Sequence, residues 1–242
     1  MTHCEYSFHK TEGNDGFHRK LIINQGIARY SKDDQEIELN VFDQGSLFML
    51  ASGIPSLSNA ALSADLAIRS VLGFYQNYDP ESPQLLWNFL LDAHHSIQQR
   101  QRTTDVSSLG TSITVLWIHE QKLTYVNIGN GKLLLKRDGN IEPLNLPQTR
   151  AEMARRRGLP APKNPKQLSQ ALFFGMLYPE KKRMITINEI LDYDTQVFQN
   201  KDTFILCSAG FPGQEFLSSG QLVDSAHHRN CDVAICIDKI VR

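Results

Sequence analysis

Apolar runs alternate with short polar or glycine-bearing breaks along most of the chain. From Lys20 the text reads LIINQGIARY, the polar SKDDQ, IELNVF, a turn at Asp43-Gln44-Gly45 and then SLFMLAS. That pattern predicts strand, loop, strand, turn, strand. The stretch Leu47 to Ser56, LFMLASGIPS, reads as a buried strand entering a sharp turn, with Ser52 at the exposed position. Strand ends that feed a helix are common places for a functional side chain, because the turn sets it beside open backbone N–H groups.

A helix follows, with Ser58 as its expected cap and Ala61, Ala64, Ile68, Val71, Leu72 and Tyr75 along one face. A second opens at Ser82-Pro83 and carries Leu86, Phe89, Leu90, Ala93 and Ile97 on one stripe. His94 and His95 fall on and beside that stripe, where a packed or solvent-tipped histidine is the ordinary outcome. From Gly110 the runs TSITVLWI, KLTYVNI, KLLLKR and NIEPL are joined by turns at His119-Glu120-Gln121, Gly129-Asn130-Gly131 and Asp138-Gly139, which predicts an antiparallel meander. A short basic helix over Thr149 to Arg157 stops at Gly158, ahead of Pro160 and Pro162. The remainder adds LSQALFFGM, a strand near Met184 to Ile190, the apolar strand TFILCSAG, a helix near Gly220 to His228 and a closing strand VAICI.

Antiparallel strands with two long helices inserted together indicate an α+β chain, and fully apolar strands call for sheets covered on both faces. The expected architecture is a four-layer αββα sandwich, two mostly antiparallel sheets flanked by helices. Residues 1–20 are polar and read as a lead-in or an extra edge strand, and 21–242 as one domain.

Composition narrows the function little. The chain has 242 residues, 41% hydrophobic and 21% charged, with a formal net charge of −1, so no nucleic-acid footprint is expected; Arg155-Arg156-Arg157 is too short to supply one. Neither an apolar leader nor a membrane-length apolar run is visible, and a cytoplasmic location is the expectation. Cysteines 4, 207, 231 and 236 show no CxxC spacing, so disulfides are not expected, and His227-His228 ahead of Cys231 matches no structural zinc pattern.

Six short motifs occur in order: Arg29-Tyr30-Ser31-Lys32-Asp33-Asp34, Ala51-Ser52-Gly53-Ile54-Pro55-Ser56, Gly110-Thr111-Ser112, Gly129-Asn130-Gly131-Lys132, Cys207-Ser208-Ala209-Gly210 and Cys231-Asp232-Val233-Ala234. With them the chain, from about Gly26 to Ile237, resembles the metal-dependent protein phosphatases of the 2C type. The family pattern at these places is Arg-x-x-Asn-Glu-Asp, Ala-Asp-Gly-Met-Gly-Gly, Gly-Thr-Thr, Gly-Asp-Ser-Arg, Ser-Asp-Gly and Asp-Asn-Ile-Thr. The resemblance implies a pair of Mn²⁺ or Mg²⁺ ions held by carboxylates, a bridging water that attacks a phosphomonoester, and an arginine on the phosphate, here Arg29.

It also exposes the departures. The family's aspartates correspond to Asp34, Ser52, Ala209 and Cys231, so one of the four remains a carboxylate. Gly53 keeps a backbone carbonyl, Asp33 replaces a glutamate, and Asp232 is one residue out of step, which on a strand sends its side chain to the opposite face. The expectation is therefore a pseudophosphatase without catalytic residues or a stable metal centre, acting by binding a protein partner such as a phosphoprotein, a kinase or another signalling protein. A weak or atypical serine/threonine phosphatase with loosely held Mn²⁺ or Mg²⁺ at Asp33, Asp34 and Asp232 is the alternative, and an architectural subunit of a larger complex is a third reading.

Overall fold

The computed structural model describes residues 3–10, 17–32, 35–57, 59–77, 85–103, 109–156, 158–164, 172–173, 177–178, 183–184, 192–209 and 233–241. In chain order the elements are β1 (His3–Lys10), β2 (His18–Asn24), β3 (Ile27–Lys32), β4 (Gln35–Asn40), β5 (Ser46–Gly53), α1 (Ala60–Tyr75), α2 (Leu85–Thr103), β6 (Gly110–His119), β7 (Lys122–Ile128), β8 (Lys132–Arg137) and β9 (Asn140–Pro143). Then come α3 (Arg150–Arg156), β10 (Leu172–Phe173), β11 (Leu177–Tyr178), β12 (Arg183–Met184), β13 (Asp192–Val197), β14 (Thr203–Cys207) and β15 (Val233–Val241).

Two antiparallel sheets stack with helices flanking them, the α+β sandwich that the apolar strands predict. One sheet runs β13-β7-β6-β5-β2-β3-β4, with β10 added beside β6; the other runs β1-β15-β14-β8-β9. Strand alternation divides the core. Leu47, Met49 and Ala51 of β5 face α1 and α2 in one apolar cluster, while Phe48 and Leu50 face the second sheet in another. A third cluster, Leu134, Ile205, Cys207, Ala234 and Cys236, lies on the far side of the second sheet. The two sheets are also pinned through polar groups. Asn24 of β2 accepts the Cys4 N–H at 3.0 Å and the Ser46 hydroxyl at 2.8 Å, and donates to the Cys4 carbonyl at 2.8 Å.

Several expectations change. The run LIINQGIARY is not one strand, because Gln25 (φ 54°) and Gly26 (φ 70°) turn it into the β2–β3 hairpin. The Gly129–Gly131 turn does not join hairpin partners either. It carries the chain from β7 in the first sheet to β8 in the second. Both glycines are required there, since a Cβ on Gly129 would overlap the Ser112 side chain and one on Gly131 would overlap the Thr114 hydroxyl. Asn145 and Gln148 hold the crossover: Leu133 and Gly129 donate N–H to their side-chain oxygens at 2.5 and 2.7 Å, and Asn145 donates to the Gly131 carbonyl at 2.9 Å.

The α1 cap is Asn59, which makes no capping side-chain hydrogen bond; Ser58 lies outside the described residues. The strand β13 carries no apolar alternation and was not predicted; it pairs with β7 and leaves Tyr193, Asp194, Thr195 and Val197 exposed. Helix α3 stops as expected, with Gly158 at φ 64° and the Leu159 N–H on the Ala154 carbonyl at 2.9 Å. No described helix is long and apolar enough to cross a membrane. The predicted helix at 220–228 lies outside the described residues.

Candidate functional site

Ser52 continues the Phe48 and Leu50 face, so it stands where the inter-sheet layer changes from apolar to polar. It is not in a turn, as the sequence suggests. It pairs with His18 of β2 on one side and Ser112 of β6 on the other, and this double pairing leaves it half-buried in a strand. The imidazole Nδ1 of His18 is 2.8 Å from its hydroxyl, and the Ser112 hydroxyl donates to its carbonyl at 3.3 Å. One step inward, Thr114 donates to Asn127 Oδ1 at 2.9 Å.

Local packing fixes the end of β5. The Gly53 N–H donates to the Phe17 carbonyl at 2.9 Å and the Ile54 N–H to the Gly110 carbonyl at 3.0 Å. A Cβ at Gly53 would overlap the carbonyl of Ala60, so only glycine lets α1 start this close to the strand. Ser63 of α1 accepts the Gly110 N–H at 2.9 Å and ties β6 to the same corner. On the opposite face of β2, the buried Arg19 donates from Nε to Asp65 of α1 at 2.6 Å and from Nη1 to the His18 carbonyl at 2.9 Å.

The other expected positions are placed unevenly. Arg29 is opposite Ile22, which is opposite Phe48, so it stands four strand positions from the Ser52 level, about 13 Å at 3.3 Å per residue. Its guanidinium donates to Glu38 at 2.8 Å and to the Tyr6 hydroxyl at 3.1 Å. Those bonds, first to Tyr6 and then to Glu38, raise its pKa above the usual arginine value. Ala209 is exposed in the turn after β14, beside the buried Ser208. Asp33, Asp34, Cys231 and Asp232 lie outside the described residues.

Sequence reasoning singled out Ser52 but missed His18 and Arg19, which it left in the polar lead-in. The available signal was parity: in HRKLIIN, His18 shares a face with Ile22, and Arg19 with Leu21 and Ile23. The groups described around Ser52 are hydroxyls, an amide, an imidazole and a peptide carbonyl. Two hard divalent cations require several carboxylate oxygens, so this donor set does not fit such a centre. Among the described residues no three His, Cys, Asp or Glu side chains converge to hold an ion.

No family model matches the sequence, and no curated protein matches it. Solved structures do match in fold. The serine/threonine phosphatase PstP/Ppp of Mycobacterium tuberculosis is 16% identical, with 98% of this chain and 99% of that one covered and a TM-score of 0.68. Stp1 of Staphylococcus aureus is 12% identical over 97% of this chain and 94% of that one, at a TM-score of 0.70. PppA of Pseudomonas aeruginosa, described as a key regulatory component of T6SS, is 14% identical over 99% and 100%, at 0.66. The catalytic domain of PstP has been solved with 2 manganese ions. At these identities the likeness shows that the chain has the phosphatase fold.

Proposed function

We infer that this chain is silent toward metal-dependent phosphate ester hydrolysis and works as a pseudophosphatase, a binding or regulatory protein in phospho-signalling. The observation that carries this reading is the Ser52–His18 pair, a hydroxyl and an imidazole, at the position where the resemblance puts a metal-bridging carboxylate. Ala209 and Cys231, at two further ligand positions, support it by bringing no carboxylate. A hydroxyl and an imidazole are poor substitutes for the charge that offsets dehydration of two divalent ions. The partner is then a phosphoprotein, a kinase or another cytoplasmic signalling protein that recognises the retained scaffold. Purified protein should leave a phosphothreonine peptide and an aryl phosphate unhydrolysed with millimolar Mn²⁺ present. Turnover that disappears in Asp34→Ala would overturn the reading.

The retained pair Asp33-Asp34, between β3 and β4, favours the second reading of a weak phosphatase that binds Mn²⁺ or Mg²⁺ with Asp232. Calorimetric titration with Mn²⁺ separates the two, since this reading requires heat of binding that Asp34→Ala abolishes.

A further inference from the structure

Ser52 and His18 are held against each other from several sides. Ser52 is clamped between β2 and β6, and Gly53 behind it is fixed by the Phe17 carbonyl and by the start of α1. The His18 ring packs on Phe17 with centroids 4.5 Å apart, and its carbonyl receives Arg19, whose own Nε is locked on Asp65. With Nδ1 as acceptor, the Ser52 hydroxyl donates across 2.8 Å, the arrangement in which an imidazole takes the proton of an attacking serine. Both residues are half-buried, so the pair is not sealed in the apolar core.

We propose that Ser52 is a metal-independent nucleophile with His18 as its general base, and that it takes a neutral carboxylic ester. The ester class follows from local charge. Among the side chains described on β2 and β3, Arg19 is bound to Asp65, Lys20 to Glu36 and Arg29 to Glu38, so none of these three is committed to holding a dianionic phosphate. Ser52 Oγ forms a bond to the ester carbonyl carbon as its proton passes to His18 Nδ1. Collapse of the tetrahedral adduct breaks the bond to the alcohol oxygen, which leaves with its electron pair and takes the proton from His18. The acyl–Ser52 ester is then hydrolysed by water through the same base, which releases the carboxylic acid and restores the hydroxyl. The Ser112 hydroxyl is a donor for the developing oxyanion, since its described bond, to the Ser52 carbonyl, is long at 3.3 Å. The N–H groups of Gly53 and Ile54 are already bonded, so acylation is expected to be slow beside that of a serine hydrolase with two free backbone donors.

The test uses the whole chain in EDTA, which removes any metal-dependent phosphatase activity from the readout. The protein is treated with p-nitrophenyl acetate and, separately, with a fluorophosphonate, and the adducts are mapped by peptide mass spectrometry. In the fluorophosphonate reaction Ser52 Oγ bonds to phosphorus, fluoride leaves and His18 passes the proton to solvent. A single adduct on Ser52 is expected, absent in Ser52→Ala and formed about 100-fold more slowly in His18→Gln. An adduct elsewhere, no adduct at Ser52, or equal rates in the wild type and His18→Gln would overturn the proposal. Should His18→Gln fail to fold, the wild type decides alone: labelling of Ser52 no faster than that of the protein's other serines overturns the proposal equally.

Discussion

Replacing Asp65 by alanine should destabilise the protein strongly. The Arg19 Nε lies 2.6 Å from Asp65 Oδ1, with the two side chains only 6% and 8% exposed. Removing the carboxylate breaks a buried ion pair from one side, which costs about 3–5 kcal/mol. In a domain of this size each kcal/mol moves the melting temperature by roughly 2–4 °C, so the full range is about 6–20 °C. Arg19 keeps its 2.9 Å bond to the His18 carbonyl, and the lower half of that range, about 6–13 °C, is expected. Scanning calorimetry at pH 7 measures the shift, and raising the salt to about 0.5 M should change it little, because a buried pair is weakly screened. The paired replacement Arg19→Met with Asp65→Leu should recover most of the loss, since an apolar pair of similar volume carries no desolvation cost. A melting point for Asp65→Ala within about 2 °C of the wild type would refute this account, as would a double variant no better than the single one.

Three further outcomes are expected. Burial, helped by the charge of Asp43 and opposed by the Gln44 N–H, pushes the Tyr75 phenol above its ordinary value near 10. The folded state therefore holds that proton more tightly than the unfolded chain does, and its stabilising contribution, full below about pH 10, is lost as the pH climbs further. Urea melts from about pH 8 to 11 should show this alkaline loss in the wild type and a shallower one in Tyr75→Phe, which also forfeits about 1–3 kcal/mol at neutral pH; equal slopes would count against it. Gly131→Ala should cost about 1–3 kcal/mol by pressing its methyl on Thr114, whereas Gly73→Ala in α1, with nothing within 4 Å of the new methyl, should stabilise by about 0.5 kcal/mol; denaturant midpoints distinguish the two. Finally, Ser52→Asp, Ala209→Asp and Cys231→Asp together should create Mn²⁺ binding measurable by calorimetry. A folded triple variant that gives no heat would mean that the positional correspondence is wrong.

The core was the most legible part of the sequence, because each strand of the sandwich interior is packed on both faces and reads as a continuous apolar run. Leu47 to Ala51, Leu133 to Leu135 and Phe204 to Leu206 are all of this kind. Sheet membership was not legible. A Gly-Asn-Gly sequence suits a tight hairpin as well as a crossover, and only the close approach of Ser112 and Thr114 to Gly129 and Gly131 selects the crossover. The polar edge strand Asp192–Val197 gave no periodic signal, since most of its side chains face solvent. At the candidate site, Ser52 stood out by contrast with the carboxylate expected there. His18 did not stand out, because its role comes from cross-strand pairing over 34 residues, and nothing local marks it.

The strand order of the second sheet has a consequence for biosynthesis. β15 lies between β1 and β14, and contributes Ile235 and Ile237 to the layer between the sheets. A ribosome adding about 5–20 residues per second needs roughly 10–45 s to travel from Lys10 to Val233. Throughout that interval β1 has no neighbour, and from the completion of Cys207 until Val233 emerges β14 also shows an open edge, so late in synthesis the nascent chain carries two unpaired strand borders at once. The sandwich can therefore close only after nearly all of the described chain has been made, and holding those borders apart during synthesis is a natural task for a chaperone.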